Sequence, residues 1–259
     1  MRTDMKSMIS RIAAVVALLV SAPLFAAGGG ALPYSYTPEL GNEASLQRGA
    51  KLFMNYCSGC HGLQYLRYNR MAEDLEIPED LLTDNLIFTG AKPGEHINTA
   101  MPSEPASVWF GQAPPDLSLT ARSRGPSWIY SYLLTFYLDE SRPMGVNNVV
   151  LPGASMPNVL AELEGWKAMD EHHGGDASHG ESSGGHGGGH EPAFVEVEPG
   201  TLEQAEFRAA VGDITNFLTY AAEPGKRDRQ ALGFKVIAYL IVLFILSWLL
   251  KREFWKDVH

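Results

Sequence analysis

Five residues constrain this chain more than any others: Cys57-Ser58-Gly59-Cys60-His61. C-x-x-C-H is the attachment pattern of a c-type haem. Two residues between the cysteines, at the end of a helix, bring both sulfurs to one edge of a porphyrin, where each forms a thioether with a vinyl group. The adjacent histidine then falls beneath the iron as an axial ligand. C-x-x-C by itself also serves zinc sites and thioredoxin-like redox pairs. A structural zinc site needs about four ligands, usually from a second pair at matching spacing. Cys57 and Cys60 are the only cysteines, so no second cysteine pair exists. No βαβ pattern flanks the motif either, as a thioredoxin-like reading requires. The motif predicts one covalently bound haem c, held by Cys57 and Cys60, with His61 on the iron.

The two ends of the 259-residue chain are appendages to one good-sized domain. Residues 1–27 have a positive start (Arg2, Lys6, Arg11), an apolar run over 12–20 and small residues at Ala26-Ala27. That is the pattern of a cleaved secretory signal peptide. Residues 231–250 form an apolar stretch without a charge from Val236 to Leu250, long enough with a snorkelling Lys235 to approach the ~20 residues a bilayer needs. Tyr239, Trp248 and Trp255 suit the membrane interface. Together the ends predict an exported domain over 28–230, one transmembrane helix over 231–250 and a cytoplasmic tail over 251–259. In a bacterium this places the domain on the periplasmic side of the inner membrane. The basic residues agree only weakly with that orientation, because Lys226, Arg227 and Arg229 flank the span on the exported side.

Charge is distributed unevenly. The whole chain carries −10, yet residues 27–225 hold 26 acidic against 10 basic residues, or −16. An acidic exported domain excludes nucleic acid and fits either a basic partner recruited by salt-sensitive steering or plain solubility. The acidic run Glu73, Asp74, Glu76, Glu79, Asp80 and Asp84 reads first as a solvated face.

Within the domain, a helix is expected to begin at Asn42, with Leu46, Ala50, Phe53 and Cys57 on one stripe. Tyr65, Tyr68 and Met71 follow on a short helical pattern, and residues 89–115 are rich enough in Gly and Pro to form an irregular wrapping loop. His96 in that loop reads as a surface histidine. Ser127 to Leu138 forms an aromatic-rich buried helix, one or two of whose rings should meet the porphyrin. Thr201 and Gln204 form a capping box for a last helix with Phe207, Val211, Ile214 and Leu218 on its inner face, ending at Pro224-Gly225. The fold class is mainly α: a haem domain with long irregular loops, then one membrane helix. Residues 172–190 are of low complexity, with His172, His173, His179, His186 and His190 among Gly and Ser. They read as a flexible insertion that would also hold divalent metals weakly.

A low-spin electron-transfer haem needs a second axial ligand, commonly methionine. Met71, Met101, Met144, Met156 and Met169 are the downstream candidates. Met156 is favoured because Pro152-Gly153-Ala154-Ser155-Met156-Pro157 is a rigid loop between helical regions, with Met101 and Met144 behind it.

Several separated stretches together resemble the cytochrome c1 family of the ubiquinol–cytochrome c reductase (cytochrome bc1) complex. They are Gln47-Arg48-Gly49 with the haem motif, Ala113-Pro114-Pro115-Asp116-Leu117-Ser118 with Ala121-Arg122-Ser123-Arg124, Met156-Pro157, and Ala221-Ala222-Glu223-Pro224 before the single span. The resemblance covers about residues 35–255. It implies Met156 as the axial ligand, Arg122 as the propionate partner, and haem contacts from Pro115 and from Tyr130 or Trp128. It also implies a role: taking electrons from the Rieske iron–sulfur protein and passing them to a soluble basic cytochrome c, alongside cytochrome b in membrane lipid. Catalysis would then belong to the whole complex. The His/Gly tract matches no family motif. Two alternatives stand beside this reading: a monohaem subunit of another membrane oxidoreductase, and an exported metal-binding protein using C-x-x-C and the histidine tract.

Overall fold

The helical stripe that ends in the haem motif is buried against a second long helix, and the other elements are arranged around that pair. The computed structural model describes residues 31–170 and 192–256. In chain order the elements are α1 (Glu43–Tyr56), β1 (Leu63–Arg67), α2 (Tyr68–Asp74), α3 (Glu79–Asn85), β2 (His96–Ile97), α4 (Ser103–Phe110), α5 (Thr120–Ser123) and α6 (Pro126–Leu134). They continue with β3 (Phe136–Leu138), β4 (Val146–Asn148), α7 (Ala161–Glu164), β5 (Gly165–Met169), β6 (Phe194–Pro199), α8 (Gln204–Ala222) and α9 (Lys226–Phe254).

Asn42 starts α1 as expected, its side chain accepting from the Ser45 amide at 3.2 Å. Leu46, Ala50, Phe53 and Cys57 are all buried. Their partner surface is α8, whose Phe207, Val211, Ile214 and Leu218 are buried too. The two helices close at Gly49, the one position where α1 has no side chain to hold α8 away. Polar groups pin the crossing: Asp213 of α8 accepts from Ser45 Oγ at 2.5 Å and from Arg48 at 2.6 and 3.0 Å, and Asn216 donates to Ser45 Oγ at 2.7 Å. Each buried polar atom in this crossing is therefore satisfied by another, as burial demands.

The start of α8 differs from the expected capping box by two residues. Glu203 is the N-cap and pairs reciprocally with Glu206. Thr201 instead donates to the Glu162 carbonyl at 3.0 Å. Three two-stranded antiparallel sheets, β1–β2, β3–β4 and β5–β6, stiffen the loops. Tyr65 belongs to β1, while Tyr68 and Met71 are buried on α2. The Gly/Pro-rich stretch contains β2 and α4, and the aromatic helix stops at Leu134 because Phe136–Leu138 pairs with Val146–Asn148.

The acidic run is partly structural: Asp74 accepts from Arg70 at 2.7 Å and from the Tyr220 hydroxyl at 2.8 Å. Strands β5 and β6 pair from Gly165–Pro199 out to Met169–Phe194, so residues 171–191, including the His/Gly tract, connect the two strands of a hairpin. The five histidines named in that tract, and the leader over 1–27, lie outside the described residues. Helix α9 is 29 residues long, about 43 Å at 1.5 Å per residue. None of it is buried, and its apolar window has a mean hydropathy of 2.3. It is long and apolar enough to cross a bilayer, and the helix begins at Lys226, ahead of the uncharged apolar stretch.

Candidate haem site

Helix α1 ends where the motif begins. The Cys57 and Ser58 amides still bond to the Phe53 carbonyl at 2.9 and 3.0 Å, and the His61 amide bonds to the Cys57 carbonyl at 2.9 Å. The motif is thus wound as a continuation of the helix end, which sets Cys57 and His61 toward one cavity and Cys60 toward an adjoining one. Neither cysteine is paired in a disulfide, so both sulfurs are available to a haem. Burial pushes the Cys57 thiol up to about 12, with Cys60 adding a smaller push in the same direction.

His61 is oriented from behind. Its Nδ1 lies 2.7 Å from the Pro115 carbonyl. A carbonyl only accepts, so Nδ1 carries the proton and Nε2 keeps its lone pair for a metal. Burial lowers the imidazole below its ordinary value, opposed by Pro115 and Asp116, so the ring stays neutral, as a ligand must. Pro115 is itself fixed through Asp116, whose carboxylate accepts from the Gln64 amide at 2.8 Å and the Ser118 amide at 2.9 Å. The Pro-Pro-Asp-Leu-Ser run is therefore a bracket for the histidine.

Met156 faces the same cavity from a loop hung on the β3–β4 hairpin. Asn148 Oδ1 accepts from the Val150 and Leu151 amides at 2.9 and 3.1 Å. Asn147 Oδ1 accepts from the Gly153 amide at 2.8 Å, and Arg142 donates to the Gly153 carbonyl at 2.8 Å. Three residues of the loop, Val150, Leu151 and Gly153, are thus positioned by side chains of one short hairpin. The sequence reading does not single out either asparagine; two adjacent asparagines before an apolar loop are the signal that could have done so.

The cavity between His61 and Met156 has a volume of about 840 Å³, within the range of ~300–1,000 Å³ usual for cofactor pockets. Its walls include Ile129, Leu133, Ile214 and Leu218, with Trp128 and Tyr132 from α6 and Arg124 at one side. A smaller cavity of about 80 Å³ adjoins on the Cys60 side, between Phe110, Pro114 and Pro157. The donor set (two thiols, a neutral imidazole and a thioether around an apolar cavity) fits a haem c.

Helix geometry places two of the expected contact residues away from the cavity lining. Arg122 and Arg124 are both exposed, but only Arg124 lines the cavity, with its guanidinium 5.3 Å from the Trp128 ring centre. Residues two apart on a helical turn point about 200° apart, so only one of the pair can face inward. Tyr130 is likewise turned away: it stacks on Tyr36 at 4.7 Å and meets Tyr34 edge-on at 6.3 Å. Trp128 and Tyr132, four residues apart and stacked at 4.9 Å, form the cavity face of α6 instead. Burial pushes the Tyr132 phenol up to about 12. Pro115 lines the cavity. Met71 lies in the core, and Met101, Met144 and Met169 are not among the lining residues. His96 is half-buried in β2, away from the cavity, with no hydrogen-bond partner for Nδ1 among the described residues.

A family model for the cytochrome c1 family matches residues 38–165 and 191–258. The chain belongs to the cytochrome c1 family. Cytochrome c1 of Allochromatium vinosum is 49% identical over 96% of this chain and 98% of its own length. The ammonia monooxygenase gamma subunit of Nitrosomonas europaea is 38% identical over 84% of this chain and 85% of its own. The mitochondrial cytochrome c1 haem protein of Schizosaccharomyces pombe is 30% identical over 84% of this chain and 68% of its own. Members of the cytochrome c1 family carry one covalently bound haem c, so this chain is a monohaem, membrane-anchored cytochrome c1 of the bc1 complex. The family match skips residues 166–190, which contain all of β5 after Gly165 and the His/Gly tract.

Proposed function

We propose that this cytochrome c1 accepts single electrons from the Rieske iron–sulfur protein and passes them to a soluble basic cytochrome c, while bound to cytochrome b in the bc1 complex. The observation that carries the reading is the convergence of Cys57, His61 and Met156 on one cavity, with Cys60 beside it. Haem c supplies reversible one-electron iron chemistry when bound. The residues around it do the rest. Cys57 and Cys60 anchor it by thioethers. The Pro115 carbonyl holds the His61 proton on Nδ1 and so presents Nε2. Met156 would supply a second, thioether ligand to the iron, which would keep exogenous ligands out and favour the ferrous state. Arg124, which lines the same cavity, would offer a haem propionate a two-pronged cationic grip.

The membrane arrangement completes the proposal. Residues 1–27 act as a signal peptide, 28–230 form the periplasmic domain, 231–250 span the bacterial inner membrane, and 251–259 stay in the cytoplasm. The acidic domain favours a basic acceptor by steering. Val108 and Trp109, exposed beside the cavity-lining Phe110, give an apolar contact on the Cys60 side. A reduced-minus-oxidised spectrum of the tagged chain, purified gently in detergent, tests the reading. A c-type band accompanied by b-type haem is the expected result. A c-type band alone would move the protein to a different redox partner.

A further inference from the structure

Tyr132 aims its hydroxyl at the sulfur of Met156. The Oη donates to Sδ at 3.5 Å, a normal length for a bond to a large acceptor atom. The phenol has little freedom to turn elsewhere. Its ring is stacked on Trp128 at 4.9 Å with 8° between the planes, and Phe136 meets it edge-on at 5.0 Å and 72°. The backbone carbonyl of Tyr132 accepts from Asn148 Nδ2 at 2.8 Å. Asn148 also holds the amides of Val150 and Leu151, at the start of the loop that delivers Met156. Donor and acceptor therefore hang from the same asparagine.

A thioether sulfur has two lone pairs. If one is given to iron, the other is free to accept a hydrogen bond, and an acceptor that is so engaged donates less charge to the metal. Ferric iron gains more from that donation than ferrous iron, so the hydrogen bond favours reduction. We propose that Tyr132 is a positioning residue for the axial thioether: its hydroxyl selects which sulfur lone pair faces the iron and raises the reduction potential. This rests on Met156 being the axial ligand, the reading given above.

The test uses the intact, haem-loaded protein in detergent with three readouts: the midpoint potential, the sulfur-to-iron(III) charge-transfer band, and closure to carbon monoxide. Tyr132→Phe is expected to keep the band and the closure while the potential moves down. Replacing Tyr132 by 3-fluorotyrosine, a stronger donor of nearly equal size, is expected to move the potential up. Opposite shifts require the hydrogen bond, since loss of packing alone has no reason to reverse sign. Wild-type potentials in both variants, or shifts in one direction, with the band retained, overturn the role of Tyr132 and leave Met156 as ligand. Absence of the band in the parent protein overturns the ligand reading, and the inference with it. If Tyr132→Phe fails to fold, the fluorotyrosine variant alone still reports the sign.

Discussion

Gly49 of α1 lies against the backbone of Asp213 in α8: a β-carbon at position 49 would stand 2.1 Å from the Asp213 carbonyl oxygen and 2.7 Å from Phe217 Cβ. Neither obstacle is the loose end of a side chain, so Gly49→Ala must push the two helices apart. That separation also stretches the bonds from Ser45 and Arg48 to Asp213. Overpacking of this kind costs about 1–3 kcal/mol. For a domain of this size it should lower the melting temperature by roughly 2–12 °C. Unchanged melting would show that the crossing is looser than these distances imply.

Met156→Leu keeps Cys57, Cys60 and His61, so the haem remains covalently attached. Leucine fills most of the space but has no lone pair, which leaves an axial position open. The variant is expected to bind carbon monoxide in the reduced state and to show a lower reduction potential, because the thioether's preference for ferrous iron is gone. A variant that stays closed to carbon monoxide at the parent potential would move the ligand to another residue.

Arg124 lines the cavity and Arg122, two residues earlier, does not. A cation beside the haem lowers the cost of adding an electron, so Arg124→Gln should lower the potential measurably. It should also loosen α6, since the guanidinium stacks 5.3 Å over Trp128. Arg122→Gln, at an exposed position outside the cavity, should leave both unchanged. Redox titration of the two variants in parallel decides between them, and equal shifts would mean that distance to the iron is not what distinguishes them.

That pair also shows where sequence reading stops. The long stripes of α1 and α8 are legible because three or more turns repeat the same period, and both the Asn42 cap and the break at Pro224 follow from local chemistry. The haem motif and the Met-Pro loop stand out in the sequence because each is a short rigid unit, and Cys57, His61 and Met156 line one cavity. Arg122 against Arg124, and Tyr130 against Trp128, turn on the phase of one-turn and two-turn helices, which no repeat fixes. The three small sheets were missed for a similar reason: strands of two to six residues, such as His96–Ile97, carry too little alternation to register. The capping residue of α8 moved from Thr201 to Glu203 because the Glu162 carbonyl claims the Thr201 hydroxyl, a tertiary contact.

Lys167 and Glu164 form an ion pair whose side chains are only 14% and 12% exposed, at the base of the β5–β6 hairpin. Lys167 also lies 4.5 Å from the Phe194 ring centre and donates to the Leu134 carbonyl at 2.8 Å. Burial raises the Glu164 carboxyl above its ordinary value, while the charges of Lys167 and Arg208 hold it down. Lys167→Met removes the nearer of those charges and leaves a buried carboxylate, at a cost of about 3–5 kcal/mol near neutral pH. The sign of the pH dependence follows. A carboxyl whose folded value lies above its unfolded one is protonated more readily in the folded state, so acidification through the folded value restores stability. The melting deficit of the variant against the parent should therefore be largest at pH 7 and shrink toward pH 5. A deficit that stays constant over that interval would assign the loss to packing against Phe194 and not to the uncompensated charge.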